Sequence, residues 1–472
     1  MVEKNQNEQF EDEISSTGDI VSEIQGIIMR DIPFTSSYWA EDIAIALLST
    51  VSSNLYFSTK IGRVPTNVWF MAIAQSARGH KSPPINNFLR PIIKQMEIDS
   101  GNFNWKLSSP SSFSLEGMTE YLVKNSKGII INDEMSQLFK AAQGKGYTIN
   151  LMEFLDKLFD GIVEPRYTRQ FKLEEIPSSA YLSLLGATTP VIYRVLDYDS
   201  FVSGFGTRFL YELWEPSQEI TYSKENLMTI GGETDRIEIY KKYARILSRI
   251  FSKEIIKTEP TTGAISAFVK YRQELNDRAI IEEKRKNQDI ANYIEKVSIY
   301  LFKLASLFAL SRQISIVAGS SLKEMSIELC EEDVDRAYKK VIRHIDNFQK
   351  VMSSWSYYRN SKPVLINDYS PYKDSILVFL QQAGGIMTVR ELAIKLGWVD
   401  KNSSKGITEK YNQILNNAIK EKNLKLYESE EVKLFPQELL DRLEIVTVDK
   451  NGNAKKKLPF VISTKEFKLS VS

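Results

Sequence analysis

The chain has 472 residues, room for about three domains at roughly 150 residues each. It is 43% hydrophobic, 11% aromatic and 26% charged, which excludes a disordered, collagen-like or low-complexity chain. Lys and Arg number 61 against 60 Asp and Glu, a net charge of +1, so no global basic field draws it to nucleic acid or membrane and any such binding is local.

The one cysteine, Cys330, excludes an internal disulfide framework and a Cys-cluster metal site. Its simplest reading is a packed helix residue. The two histidines, His80 and His344, exclude an HExxH zincin, and His344 reads as exposed or capping.

Residues 1–35 read as an acidic N-terminal tail. Glu3, Glu8, Glu11, Asp12, Glu13 and Asp19 oppose Lys4 in the first stretch, with no apolar core and hence no export signal. The most apolar runs, 43–57 and 297–310, are too short for a membrane span of ~20 residues, and the second contains Lys303. The expectation is a soluble, cytoplasmic protein with no membrane partner.

From residue 36 the spacing of Ile43, Ala46, Leu47 and Val51 predicts a helix. The run Val68-Trp69-Phe70-Met71-Ala72-Ile73 reads as a buried strand. It feeds Gln75-Ser76-Ala77-Arg78-Gly79-His80-Lys81-Ser82, then a helix over 85–96 with Pro83 in its first turn. Gly128-Ile129-Ile130-Ile131-Asn132-Asp133-Glu134 is a second buried strand, ending in acid. A helix over 150–160 and a strand or hairpin over 166–172 follow. A third strand over 179–186 ends at Ala187-Thr188-Thr189-Pro190, and a glycine turn from Ser203 leads to a fourth strand at 209–213. Strands alternating with helices point to an α/β fold with a mostly parallel sheet.

Residues 235–352 carry long amphipathic helical patterns, and 353–372 suit a linker. Residues 373–436 read as helix, helix, helix and hairpin, the order of a winged helix with its wing at 424–435. Asp449-Lys450-Asn451-Gly452-Asn453 signals a hairpin turn near the end. The expected division is a tail at 1–35, an ATPase core at 36–234, a helical domain at 235–360, a winged helix at 361–440 and a hairpin or tail at 441–472.

Lys81-Ser82 after a strand and before a helix suits a phosphate cradle, in which backbone N–H groups hold phosphate, the lysine meets its outer oxygens and the hydroxyl ligates Mg²⁺. The usual G-x-x-x-x-G-K-[ST] pattern is altered: His80 stands before Lys81, and Gln75 stands at the first glycine position. Asp133-Glu134 suits Mg²⁺ through the aspartate and activation of water through the glutamate. The acids lie about 50 residues beyond the lysine. Cradle, acidic strand and polar strand end is the chain order of RecA-like motor ATPases. Thr188 or Thr189 suits a γ-phosphate sensor or a plain strand terminator. Arg208, after a Gly-Phe-Gly turn, suits an arginine finger or a structural salt bridge.

Three segments suit nucleic acid. Lys140 and Lys145 lie in a glycine-bearing loop past the acidic strand. Arg166 and Arg169 interleave with Tyr167 and Phe171, as backbone contact plus stacking requires. Lys405 and Lys410 open the third helix of the winged-helix segment, beside amides that read base edges. Solvated surface is the alternative for each.

Together, about residues 40–350 resemble a P-loop family of replication proteins of plasmids, viruses and integrated elements, generally labelled domain of unknown function 3987 and related to RecA-like helicases. The matching stretches are 68–84, 128–134, 155–161, 184–190, 203–210 and 296–308. The resemblance implies a RecA-like core using ATP and Mg²⁺; the loop residues Ser76, Gly79 and His80 are expected around the phosphates with Lys81 and Ser82. It makes Lys81 and Ser82 the phosphate and Mg²⁺ ligands, Asp133 and Glu134 the acidic pair and Arg208 the finger; read from the residues themselves, Asp133 joins Ser82 on the metal, and Glu134 and Thr188 are the catalytic candidates. A homo-oligomeric ring acting on DNA is the expected assembly, with a helicase or remodelling motor as the function. The departure lies in the cradle, which lacks its usual glycines. A non-hydrolysing DNA-binding initiator or adaptor, and a defence or regulatory ATPase, are the other readings.

Overall fold

The computed structural model of the chain describes residues 14, 16–32, 34–60, 62–75, 80–101, 105–109, 115–136, 138–139, 151–161, 177, 180–195, 202, 204–213 and 233–360, then 376, 379–380, 382–383, 386–396, 415, 419, 424–427, 429–432, 435, 437–443, 445 and 461–463. It forms two compact units, residues 1–358 and 359–472.

The first unit opens with α1 (Ile20–Asp31), whose N-terminus is capped by Asp19 accepting from the Val21 and Ser22 N–H groups. Ile20, Val21, Ile24 and Ile28 of α1 are buried in the main core, so the tail expected over 1–35 does not extend through this helix. Helix α2 (Ser37–Val51) is buried over most of its circumference, as a helix apolar on nearly all sides must be. It packs across three strands of the sheet described below.

The hairpin β1 (Leu55–Thr59) and β2 (Gly62–Pro65) precedes β3 (Trp69–Ile73), every residue of which is buried. A broken helix, α3, follows in three pieces: Ser82–Pro84, a π-helical turn Ile85–Leu89, and Arg90–Asp99. Pro91 offers no N–H to the Asn87 carbonyl, which instead accepts from the Tyr240 hydroxyl at 2.5 Å. Then come α4 (Leu115–Lys124), β4 (Lys127–Asn132), α5 (Leu151–Phe159), β5 (Tyr181–Thr188), α6 (Ile192–Val195), a 3₁₀ turn Gly206–Arg208 and β6 (Leu210–Leu213).

Strands β4, β5, β3 and β6 lie in that order, all parallel. Ile73 pairs with Thr188 and Leu213, and Asn132 with Gly186. The carboxyl ends of the strands therefore share one edge, where ligands of open parallel sheets bind.

The rest of the unit is α7 (Glu233–Phe251), β7 (Ile255–Pro260), α8 (Thr262–Lys284), α9 (Gln288–Val297), α10 (Tyr300–Arg312), α11 (Ile314–Gly319), β8 (Glu324–Leu329) and α12 (Glu331–Asn360). Strands β7 and β8 join the hairpin in a second sheet, β2-β1-β7-β8. Sequence reading missed both, because short half-buried strands between long charged helices share their composition. Strand β7 pairs with β1 and β8 with β7, and residues 235–358 fall in one unit with the first sheet's region, where sequence reading draws a helical domain from residue 235. Cys330 is half-buried just ahead of α12, its N–H bonded to Asp333 at 3.1 Å.

In the second unit, Ile376 and Leu380 are helical and buried. They precede β9 (Ile386–Thr388), α13 (Val389–Lys395), β10 (Lys425–Tyr427), α14 (Ser429–Val432), α15 (Gln437–Arg442) and β11 (Val461–Ser463). The sheet order is β10-β11-β9, antiparallel throughout. The expected hairpin at 424–435 is corrected here: β10 is followed by α14, and its partner is β11, in the segment expected to be tail. Among the described residues, no helix is long and apolar enough to cross a membrane.

Candidate functional site

The Lys81 corner sits at the carboxyl end of β3. His80 has φ of 40°, a left-handed conformation that disfavours residues with a Cβ and favours glycine. The histidine thus takes a backbone shape that glycine adopts freely, with its ring 5.3 Å from that of Phe34. Lys81 is 8% exposed, and its ammonium donates to the Ala74 carbonyl at 3.2 Å, closing the loop onto its own start. The Lys81 carbonyl accepts from the Trp39 indole at 3.0 Å, so α2 buttresses the corner. Ser82 opens α3, half-buried. Pro83 and Pro84 follow and remove two of the N–H groups that a helix entrance normally offers an anion.

The acidic pair follows β4. The Glu134 N–H bonds the Asn132 side chain at 2.8 Å, and the Glu134 carboxylate accepts from Ser136 at 2.8 Å. Asp133 is half-buried and Glu134 exposed. A Cβ on Gly186 would stand 2.5 Å from Met135 Cγ. Glycine there lets the chain beyond the acids settle on β5, between the acidic strand and the cradle strand. Burial pushes the Lys81 ammonium down from its ordinary value, and Glu134, then Asp133, pull it back up. The lysine and both acids, distant in sequence, therefore share one electrostatic neighbourhood.

Thr188 caps the strand between them. It is fully buried, and its hydroxyl faces the Thr189 carbonyl at 3.4 Å. Its own carbonyl accepts from Ala74 N–H at 3.2 Å, tying the loop's start to β5. Thr189, half-buried, is the better exposed of the two threonines considered for sensing.

No protein-family model matches the sequence, and no curated protein matches it. Among solved structures, a full-length MCM homolog from Methanopyrus kandleri is similar at 12% identity and a TM-score of 0.37, over 72% of this chain and 61% of that one. Nothing about the chemistry of this chain is carried over from so distant a likeness.

Arg208 departs from expectation. It is 9% exposed and lies ahead of β6, at the amino edge of the sheet, since Leu210 pairs with Phe70. Its guanidinium binds Asp156 at 3.2 Å and Asp160 at 2.5 Å, both from the α5 region, and the Gly204 carbonyl at 2.9 Å. An arginine finger needs a side chain projected from the surface; this one points inward and joins α5 to β6, the salt-bridge alternative weighed for it. His344 is also corrected: it is fully buried, with Nδ1 2.8 Å from the Tyr211 carbonyl.

Ser76, Gly79, Lys140, Lys145, Arg166, Arg169, Lys405 and Lys410 lie outside the described residues. Sequence reasoning missed Trp39, whose indole holds the cradle. It also missed a buried ionic cluster of Asp42, Glu212, Lys340 and His344. Their spread over α2, β6 and α12 left no local motif to read.

Proposed function

We propose that the chain is a DNA-dependent NTPase, a helicase or remodelling motor of a plasmid, virus or integrated element that works as a homo-oligomeric ring. One observation carries the reading: Lys81 and the Asp133-Glu134 pair lie at the carboxyl edge of one parallel sheet, within Coulombic reach of one another, with the Thr188 strand between them. Lys81 exchanges its Ala74 acceptor for the outer phosphate oxygens of ATP and offsets their charge. Ser82 and Asp133 supply a hydroxyl and a carboxylate, hard oxygen donors that suit Mg²⁺, and bound Mg²⁺ neutralises phosphate charge. Glu134, exposed and oriented by Ser136, accepts the proton of the attacking water. The parallel strand order, with the Thr188 strand between the lysine and the acids, supports the RecA-like reading; with Arg208 buried, the charge-neutralising cation opposite Lys81 must come from another residue. The helix–strand–helix order and the central returning strand β11 support a winged helix in the second unit, suited to duplex DNA.

ATP turnover with and without single-stranded DNA tests the proposal. Lys81→Ala and Glu134→Gln are each expected to lower turnover by at least ~100-fold, Glu134→Gln with nucleotide binding retained. Wild-type rates in both would refute the reading. Pro83, Pro84 and His80 favour one second reading, a DNA-binding initiator that holds nucleotide without hydrolysing it. It predicts no turnover with any DNA, and DNA binding unchanged by Lys81→Ala.

A further inference from the structure

The buried cluster beneath the cradle has the chemistry of a metal site. Asp42 on α2, Glu212 on β6 and His344 on α12 are each 0% exposed. One ligand atom from each lies within 4.8 Å of the other two. His344 Nδ1 stands 2.8 Å from the Tyr211 carbonyl, an acceptor that requires the proton on Nδ1 and leaves a lone pair on Nε2. That Nε2 is enclosed, makes no hydrogen bond, and faces Asp42 Oδ1 at 3.7 Å. Asp42 Oδ2 is also enclosed and makes no hydrogen bond. Buried polar atoms are ordinarily satisfied, and a lone pair set against a carboxylate is repulsive unless a proton or a cation joins them.

The surroundings are built as metal surroundings are. A ligating imidazole usually gives its other N–H to a carbonyl or carboxylate, which fixes the ring; Tyr211 does this here. Glu212 accepts from Arg343 on both oxygens, Nε to Oε2 at 3.1 Å and the terminal nitrogen to Oε1, and from Asn347 at 3.3 Å, so it meets a metal through a remaining lone pair. Lys340 stands 2.6 Å from Asp42 Oδ1 and 2.8 Å from Glu41. It therefore stays paired through Glu41 when Asp42 turns its free oxygen to a metal.

We propose that Asp42, Glu212 and His344 bind one divalent first-row transition ion, with Zn²⁺ as the probe. One imidazole nitrogen and two carboxylate oxygens suit such an ion. The ion joins α2, β6 and α12, which are far apart in sequence. It sits one helical turn along α2 from Trp39, so it stiffens the floor of the cradle whether or not ATP is hydrolysed there.

The full chain, stripped with chelator and dialysed against Zn²⁺ in the absence of nucleotide, is expected to retain ~1 Zn²⁺ per chain, with a thermal midpoint that falls on stripping and recovers on reloading. Asp42→Asn and His344→Gln are expected to lose the ion. Should either fail to fold, X-ray absorption on Zn²⁺-loaded His80→Gly protein locates the site, because only two histidines exist in the chain. One imidazole plus oxygen donors, without sulfur, then assigns His344. Any one of three results overturns the proposal: retention below ~0.1 Zn²⁺ per chain with an unmoved midpoint, full Zn²⁺ content in folded His344→Gln, or a spectrum lacking imidazole.

Discussion

His80 stands in a backbone shape unusual for a residue with a side chain. The residue before the lysine of a phosphate cradle is ordinarily glycine, so a histidine there weakens the match. The backbone nonetheless takes a positive φ of 40° at His80, and the ring finds Phe34. A β-branched side chain tolerates that conformation least. His80→Val is expected to lose about 1 kcal/mol in urea denaturation. His80→Gly, which relieves strain but forfeits the Phe34 contact, should stay within about 0.5 kcal/mol of wild type. Equal losses in the two variants would show that the ring, not the backbone, sets the cost.

Among elements, the join of α5 to β6 depends on Arg208. Removing it leaves Asp156 without its cation, while Asp160, 43% exposed along its side chain, is partly relieved by water. Arg208→Ala is expected to cost roughly 2–3 kcal/mol, below the loss for a fully buried pair. A finger would instead lose turnover at unchanged stability, so denaturation and turnover measured on this variant separate the two roles. Helix α10 carries a second buried charge. Lys303 donates to the Asn67 carbonyl and side-chain oxygen at 3.1 and 2.6 Å, and burial pushes its ammonium down to about 7. Asp160 opposes that shift and Arg208 adds to it. Between that value and the ordinary lysine range, the unfolded chain holds a proton that the folded chain sheds. The contribution of Lys303 therefore makes stability rise as pH increases from about 7 toward 10, by at most ~1.4 kcal/mol per pH unit. Lys303→Met is expected to flatten this rise in urea titrations at pH 7 and pH 9; an unchanged slope would mean that Lys303 stays charged when folded.

Over the whole molecule, the chain divides into two units after residue 358. The chain ended at Tyr358 is expected to unfold in one cooperative transition and to keep basal ATP turnover, while duplex DNA binding drops. Calorimetry and a filter-binding assay check both; turnover lost in a folded fragment would place part of the active site beyond residue 358.

The sequence by itself determined the strands and helices whose signals are local. Runs such as Val68 to Ile73 and Ile129 to Ile131 can only be buried, and the lysine-serine corner and twin acids follow them directly. The central strand of the second unit, the sheet that takes in β7 and β8, the inward turn of Arg208 and the buried cluster around His344 were decided only by tertiary structure. A strand's partner, or the direction a charge faces, depends on residues hundreds of positions away. A charged side chain carries the same letter whether it meets water or a buried counter-ion; packing alone distinguishes the two.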